Sequence, residues 1–462
     1  MFLFNTNASR VRGNDFREQF RSRIMYSGLD ELFEEGILAS ASVFSNICRR
    51  KGMKDRENLA IVLGGSSVTS LGICRNLGEN GVSVSCVDNR KNETAFSRFC
   101  AGFFAIPGIE SSSRILKSFL SELDGRVETS PVMFPASDLF CLNLVRTMGE
   151  IGGKYVFLAN RQSVETLVDK EKFYLSLMRA ELPHPETYFP LEEDLNEIER
   201  NLDYPVLVKP AVSQMFSRIF ILKSFVAKDR KELEKYLGLA SEHRIPVMVQ
   251  QIIPGPPTNV YGIAGYVDRN SEPKGVFAYR RIRDWPLGFG CNSLIESIPV
   301  SAVEQIKEIT LNYLRSLKYT GLFEAEFKRD DRDGAFKLIE INARSWWQNR
   351  FATVCGSNLV LMAYLDAMGR RIPSTETYRT GIRWICALND IQSAMTLFQS
   401  GSVGFLEWLS SYKSVVDYAY FAPNDPLPCI SNLFLVSHAY FRGFLSARKI
   451  SDQSAPIERS SD

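Results

Sequence analysis

Histidine is nearly absent. His184, His243 and His438 are the only three in 462 residues, which argues against a His-built metal centre or a Ser-His-Asp triad. The nine cysteines are scattered, without a C-x-x-C pair. Neither a zinc site nor a disulfide framework is expected, and reduced thiols in a cytoplasmic protein are. No apolar run reaches the ~20 residues of a membrane span, and the first residues lack the charged-then-apolar order of a signal peptide. A net charge of only +2 gives no whole-chain electrostatic case for nucleic acid or for an acidic membrane. What is present is the composition of a soluble globular protein, 45% hydrophobic and 23% charged, long enough for two to four domains.

The most informative stretch is Gly321 to Arg350, GLFEAEFKRDDRDGAFKLIEINARSWWQNR. It reads as two strands around an acidic turn, with Gly334 at the position that needs a positive backbone angle. Period-two alternation puts Glu324, Glu326 and Lys328 on one face of the first strand, and Glu340, Asn342 and Arg344 on one face of the second. A hairpin centred near Asp333 sets Glu326 opposite Glu340 and Glu324 opposite Asn342. Like charges directly opposed are destabilising, so a divalent cation with oxygen ligands is one reading. A solvated acidic face on an edge hairpin is the other.

Upstream, LAIVLGGSSVTSLGICRNLGENGVSVSCVD reads as strand, glycine turn, helix and strand, the opening of a Rossmann-like half. Its turn is not G-x-G-x-x-G, which disfavours a dinucleotide. Strands are also expected at Pro131–Pro135 and Tyr155–Ala159. Asp138 follows a strand end and reads as a helix cap before a substrate contact. Asp169-Lys170 opens a helix. Lys209 ends the apolar strand YPVLVKP, a poor core choice and a good phosphate donor. Val247–Ile253, VMVQQII, is an apolar strand broken by Pro254-Gly255-Pro256-Pro257. Arg280–Ser293, RRIRDWPLGFGCNS, reads as a phosphate or carboxylate clamp or as an exposed basic strand. GIRWICALND, within residues 372–390, reads as a further strand. Trp346 and Trp347 stand either at an acceptor site or in the core.

In their order, Gly64-Gly65, Asp169-Lys170, Val208-Lys209-Pro210, Val249-Gln250-Gln251-Ile252-Ile253-Pro254-Gly255, Arg281-Ile282-Arg283, Glu326-Phe327 and Glu340-Ile341-Asn342-Ala343-Arg344 resemble the ATP-grasp ligases. The RRIRDWP segment and the DPLP at Asp425–Pro428 are most similar to D-aspartate ligase-like carboxylate–amine ligases. The resemblance implies an α/β ATP-grasp fold: a Rossmann-like pre-ATP-grasp domain and two α+β subdomains that sandwich the nucleotide, with an N-terminal extension and a helical C-terminal extension. Boundaries are expected at 1–57 (extension), 58–165 (pre-ATP-grasp), 166–253 (nucleotide lid), 254–370 (metal and catalytic subdomain), 371–450 (C-terminal extension) and 451–462 (disordered tail).

The same resemblance implies ATP with Mg²⁺ or Mn²⁺. It makes Glu326, Glu340 and Asn342 metal ligands, and Lys170 and Lys209 phosphate contacts. Gln250, Gln251 and Ile253 become the adenine hinge, Arg281 and Arg283 the basic pair at the transferred phosphate, and Arg344 the residue that steadies the acyl intermediate. The expected reaction joins a small-molecule carboxylate to an amine through an acyl phosphate. The alternatives are a non-catalytic nucleotide-binding relative and a carboxylate–thiol ligase. The partners expected are these small molecules, with no nucleic acid and no membrane span, and a homodimer stays open. The chain departs from the family at Ala211–Phe220, which lacks the usual glycine-rich loop, so that Arg218 or Lys223 would substitute. It departs again at Gln250 and Asn259, where acidic residues are common.

Overall fold

Leu59–Leu63 is apolar and buried at all five positions, a run that suits only a strand covered on both faces. In the computed structural model, which describes residues 59–64, 67–124, 130–151, 155–190, 195–210, 219–220, 222, 224–373 and 377–437, it is the first strand of a four-stranded parallel sheet. The strands are β1 (Leu59–Leu63), β2 (Ser83–Asp88), β3 (Cys100–Ala105) and β4 (Val132–Pro135), in the order β3-β2-β1-β4. Helices α1 (Ser67–Gly78), α2 (Ser113–Asp124) and α3 (Asp138–Ile151) belong to this layer. The strand expected at 155–159 is reduced to one parallel bridge, Val132 to Val156. The expectations for residues 1–57 and 451–462, and for Arg218 and Lys223, fall outside the described residues.

Helices α4 (Arg161–Val168) and α5 (Lys170–Arg179) lead into a second, antiparallel sheet. It contains β5 (Thr187–Tyr188), β6 (Val206–Pro210), β7 (Phe225–Ala227) and β8 (Val247–Gln251), in the order β5-β8-β6-β7, with α6 (Leu195–Arg200) and α7 (Arg230–Glu242). It has its own small core of Ile198, Val206, Val208, Leu233 and Val249, with Phe225 stacked on Tyr236.

The third sheet has seven strands. They are β9 (Val260–Val267), β10 (Pro273–Trp285), β11 (Cys291–Ile298), β12 (Gly321–Arg329), β13 (Phe336–Asn342), β14 (Arg383–Ile385) and β15 (Val415–Tyr418), ordered β13-β12-β9-β10-β11-β14-β15. Its helices are α8 (Glu304–Ser316), α9 (Asn349–Cys355), α10 (Leu359–Ala367), α11 (Ala387–Gln399) and α12 (Phe405–Ser410). The strand expected in GIRWICALND stops at Ile385, and Asp390 lies in α11. One core joins the first and third sheets: Val62, Val84 and Phe134 pack with Tyr266, Phe277 and Trp346. Burying the two sheets against each other fixes the carboxyl ends of the first beside the hairpin of the third; the second sheet has a small core of its own and also sends Met248 of β8 into the core beneath the third.

Candidate active site

The β12–β13 hairpin turns at Asp330–Gly334. Gly334 takes φ +71° and donates its N–H to the Asp330 carbonyl at 2.8 Å. The left-handed angle costs a residue without a side chain little. The register that follows pairs Glu326 with Glu340 and Glu324 with Asn342, so four oxygen-bearing side chains share one face. Glu324 is buried. Burial first, and the neighbouring Glu326 second, push its carboxyl up to about 8. The Tyr279 hydroxyl donates to Glu324 Oε1 at 2.5 Å and lies 3.4 Å from Glu326 Oε1. Tyr279 reaches them because Gly262, paired with both Glu326 and Tyr279, has no side chain. A β-carbon there would stand 2.1 Å from the tyrosine ring.

Arg344 closes one end of the cluster. It donates to Asn342 Oδ1 at 3.0 Å and to Asp138 Oδ1 at 2.7 Å, while the Asn342 amide donates to Glu324 at 3.0 Å. Asp138 therefore does not cap its helix; Ser137 accepts the Phe140 N–H instead. Asp138 stands at the carboxyl end of β4, where open parallel sheets meet their ligands.

The lysines arrive from two elements. Asp169 caps α5 by accepting the N–H groups of Glu171 and Lys172, which sets Lys170 at the first helical position with Nζ 3.7 Å from Glu340 Oε2. Lys209, at the end of β6, donates to Gln250 Oε1 at 2.7 Å, and the Gln250 amide donates to Thr187. Burial, then the like charge of Lys170, push Lys209 down to about 7, with Glu340 opposing. Gln251 faces the other way by strand alternation; its amide is engaged at both ends by the Asp203 backbone. The side chain expected in a hinge is a loop anchor. Ile253 is buried just beyond β8. The backbones of Ile252 and Ile253 make no hydrogen bond to the described residues.

Arg281 and Arg283 of RRIRDWP do not act as a pair. Arg281 approaches both Glu326 oxygens, at 3.3 and 3.4 Å, and donates to Asn292. Arg283 is bound by Asp390 at 2.8 and 2.9 Å, in a buried group with Ser293, Trp408 and Tyr412. The register slips between residues 281 and 283, and such a bulge breaks the period-two alternation that would have aimed both at one site. Lys328 shares the Glu326 face, and burial followed by Arg281 lowers its pKa. Trp346 is fully buried in the core, and Trp347 is partly buried against it, packed on Trp384 at 5.5 Å.

The arrangement thus unites Glu326, Glu340, Asn342, Arg344, Arg281, Lys170, Lys209 and Gln250, and excludes Arg283 and the Gln251 side chain. Glu324 and Lys328, expected on that face without a site role, join it, as do Asp138, expected first as a cap, and Tyr279, which was not anticipated. Alternation had put Glu324 and Lys328 on the right face and a strand end had marked Asp138; Tyr279 carries no local signal.

No family model matches the chain. It is 28% identical to the D-aspartate ligase of Enterococcus faecium over 225 residues, 47% of this chain and 53% of that one. It is 30% identical to the D-alanine–D-alanine ligase of Streptococcus mutans over 158 residues, 33% of this chain and 43% of that one. The chain spans about half the length of these curated relatives. In structure it is similar to an N5-carboxyaminoimidazole ribonucleotide synthetase crystallised as its ADP complex, with TM-score 0.55 and 13% identity over 71% of this chain and 80% of that one.

Proposed function

We propose, from the premise that the chain has the ATP-grasp fold, that it is an ATP-dependent carboxylate–amine ligase. The observation that carries the reading is Glu326 opposite Glu340 on the face shared with Asn342 and Arg344, with Lys170 3.7 Å from Glu340. The first sheet (58–165) would serve the acid substrate, 166–253 the nucleotide lid, and 254–370 the metal and the transferred phosphoryl group.

The donor set fits a hard divalent cation. It is all oxygen, and opposed carboxylates on one face need a positive charge between them. Glu326, Glu340 and Asn342 would hold Mg²⁺ or Mn²⁺, which when bound neutralises charge on the nucleotide phosphates. Lys170, beside Glu340, and Lys209 would neutralise the same phosphates, and the backbone of Ile252 and Ile253 would offer a donor and an acceptor to the base. A carboxylate oxygen of the acid attacks the γ-phosphorus and ADP leaves, giving an acyl phosphate. Arg281 faces the charge that develops on the transferred group, a step that needs positioning and charge neutralisation more than covalent help. Arg344, fixed by Asp138 and Asn342, holds the acyl oxygen while the amine attacks the carbonyl carbon. Phosphate departs with its electron pair, and the amine nitrogen gives up a proton.

The test is ADP and phosphate release in pools of acids and amines with ATP and Mg²⁺. Release that requires both an acid and an amine is expected. No turnover with any pair, alongside normal nucleotide binding, would point to a non-catalytic relative; a thioester product would point to a thiol acceptor.

A further inference from the structure

The active face of the third sheet does not end at the acids. Residues 322, 324 and 326 of β12 point to one side. Glu324 pairs with Asn342, and Leu322 with Tyr266 of β9. The row beyond Glu324 on that face is therefore Leu322 and Tyr266, and a cavity lies against it. Its walls also hold Pro135 at the carboxyl end of β4, Ala363 of α10, and Arg344. Protein interiors are packed too densely to leave many voids larger than one water. This one, about 40 Å³, takes roughly three water-sized groups at 10–15 Å³ each. Arg344, the residue that would hold the acyl oxygen, is shared between it and the site.

The walls decide what fits. Among the described residues Arg344 is their only charged side chain, and it already has Asp138, Asn342 and the Ser345 carbonyl as partners. Both tyrosine hydroxyls are engaged as well. Tyr266 donates to Asp366, and Tyr319 to the Leu322 carbonyl. Of the polar side chains in the walls, Ser345 alone has a buried oxygen without a hydrogen-bond partner among the described residues. A carboxylate placed here would lose its water and find one hydroxyl, which does not offset the burial of a charge. An apolar chain would meet Leu322, Pro135 and Ala363 and leave water without losing a hydrogen bond. A phenyl ring is larger than the space.

We infer, resting on the ligase reading, that this cavity takes the chain of the acid substrate, which is a monocarboxylic acid with a compact apolar chain of about three carbons. The probes are valine in both configurations and 3-methylbutyrate, the same skeleton without the amine, against aspartate and phenylalanine. Calorimetry without nucleotide reads binding; ADP release with ATP, Mg²⁺ and pooled amines reads turnover. Valine or 3-methylbutyrate should be preferred at least tenfold in both, because one methylene of misfit in an apolar pocket is worth roughly 10- to 200-fold. Ala363→Leu fills the cavity and should cut the preference for valine over alanine about 100-fold, with melting unchanged. Ala363→Val, a smaller filling, should cut it in part and serves if the first variant misfolds. Preference for aspartate, or folded filling variants that still prefer valine, would overturn the inference while ADP release kept the ligase reading. Valinamide, which lacks the carboxylate, responding to the filling in place of valine would overturn it too, by giving the cavity to the amine. Valine binding lost on filling, with no ADP release under any amine, would uphold the ligand of the cavity and overturn the ligase reading.

Discussion

The carboxylate side and the lysine side of the site are built on different terms. Glu324, Asn342, Arg344 and Asp138 form one hydrogen-bonded chain, on a sheet that shares its core with the parallel sheet beside it. Among the described residues Lys209 has one amide partner, Lys170 reaches a single carboxylate at 3.7 Å, and the strand of Lys209 lies on a sheet joined to the third through Met248. The first side is preorganised, its geometry fixed before any substrate arrives. The second carries positive charge that burial already weakens at Lys209; on the proposed function, a bound phosphate would restore it. Rigid acids and under-compensated lysines are what a site needs if one side must position and the other must capture.

The largest effect expected is on the rigid side. Glu340→Ala should lower turnover at least ~10³-fold, by analogy with the loss of one electrostatic stabiliser of a transition state, while thermal melting stays unchanged. An ADP-release assay that found less than a tenfold loss would remove the metal argument. Asp138→Asn removes the charge from the partner of Arg344 and loosens its guanidinium, which keeps its bonds to Asn342 and the Ser345 carbonyl. Because a 1 Å misplacement can cost ~10²-fold, kcat should fall by about that factor with nucleotide affinity intact.

Why those two residues differed in legibility is physical. Glu340 belongs to a local pattern, since alternation and a short turn determine which residues face each other across a hairpin. Asp138 meets Arg344 from 206 residues away, a pairing made by sheet packing. Its position before a helix suggested a cap, and Ser137 does that work. Arg283 failed for the converse reason: alternation was assumed where a bulge intervenes, and the partner, Asp390, lay in a segment read as strand. The parallel sheet was readable from a continuous apolar run, the hairpin from alternation around a glycine turn, and the places of Lys170 and Lys209 from a helix start and a strand end. The tryptophans were undecided because burial is a property of the assembled fold.

On the lysine side the effect is smaller and depends on pH. Lys209 titrates near 7 in the folded chain, and bound phosphate would raise that value, so binding takes up a proton above pH 7. Nucleotide affinity should therefore fall as pH rises from 7 to 9, by at most about tenfold per unit. Lys209→Met should bind more weakly and flatten the profile. Calorimetry in buffers of different ionisation enthalpy reads the proton directly, and a flat profile for the unaltered protein would contradict the assignment. Smallest is the support beneath the acids. Gly262→Ala forces Tyr279 off Glu324 and should cost about 1–3 kcal/mol by overpacking, measured by denaturant unfolding. An unchanged midpoint would mean that Tyr279 does not need the gap.

The central claim is that this site activates a carboxylate as its phosphate. Amino acids labelled with ¹⁸O in the carboxylate, pooled with ATP and Mg²⁺, test it in one mass-spectrometric measurement. The expected result is one ¹⁸O in the released phosphate together with a product weighing the acid plus the amine less one water. Unlabelled phosphate, released by water alone and with no condensed product, would contradict it.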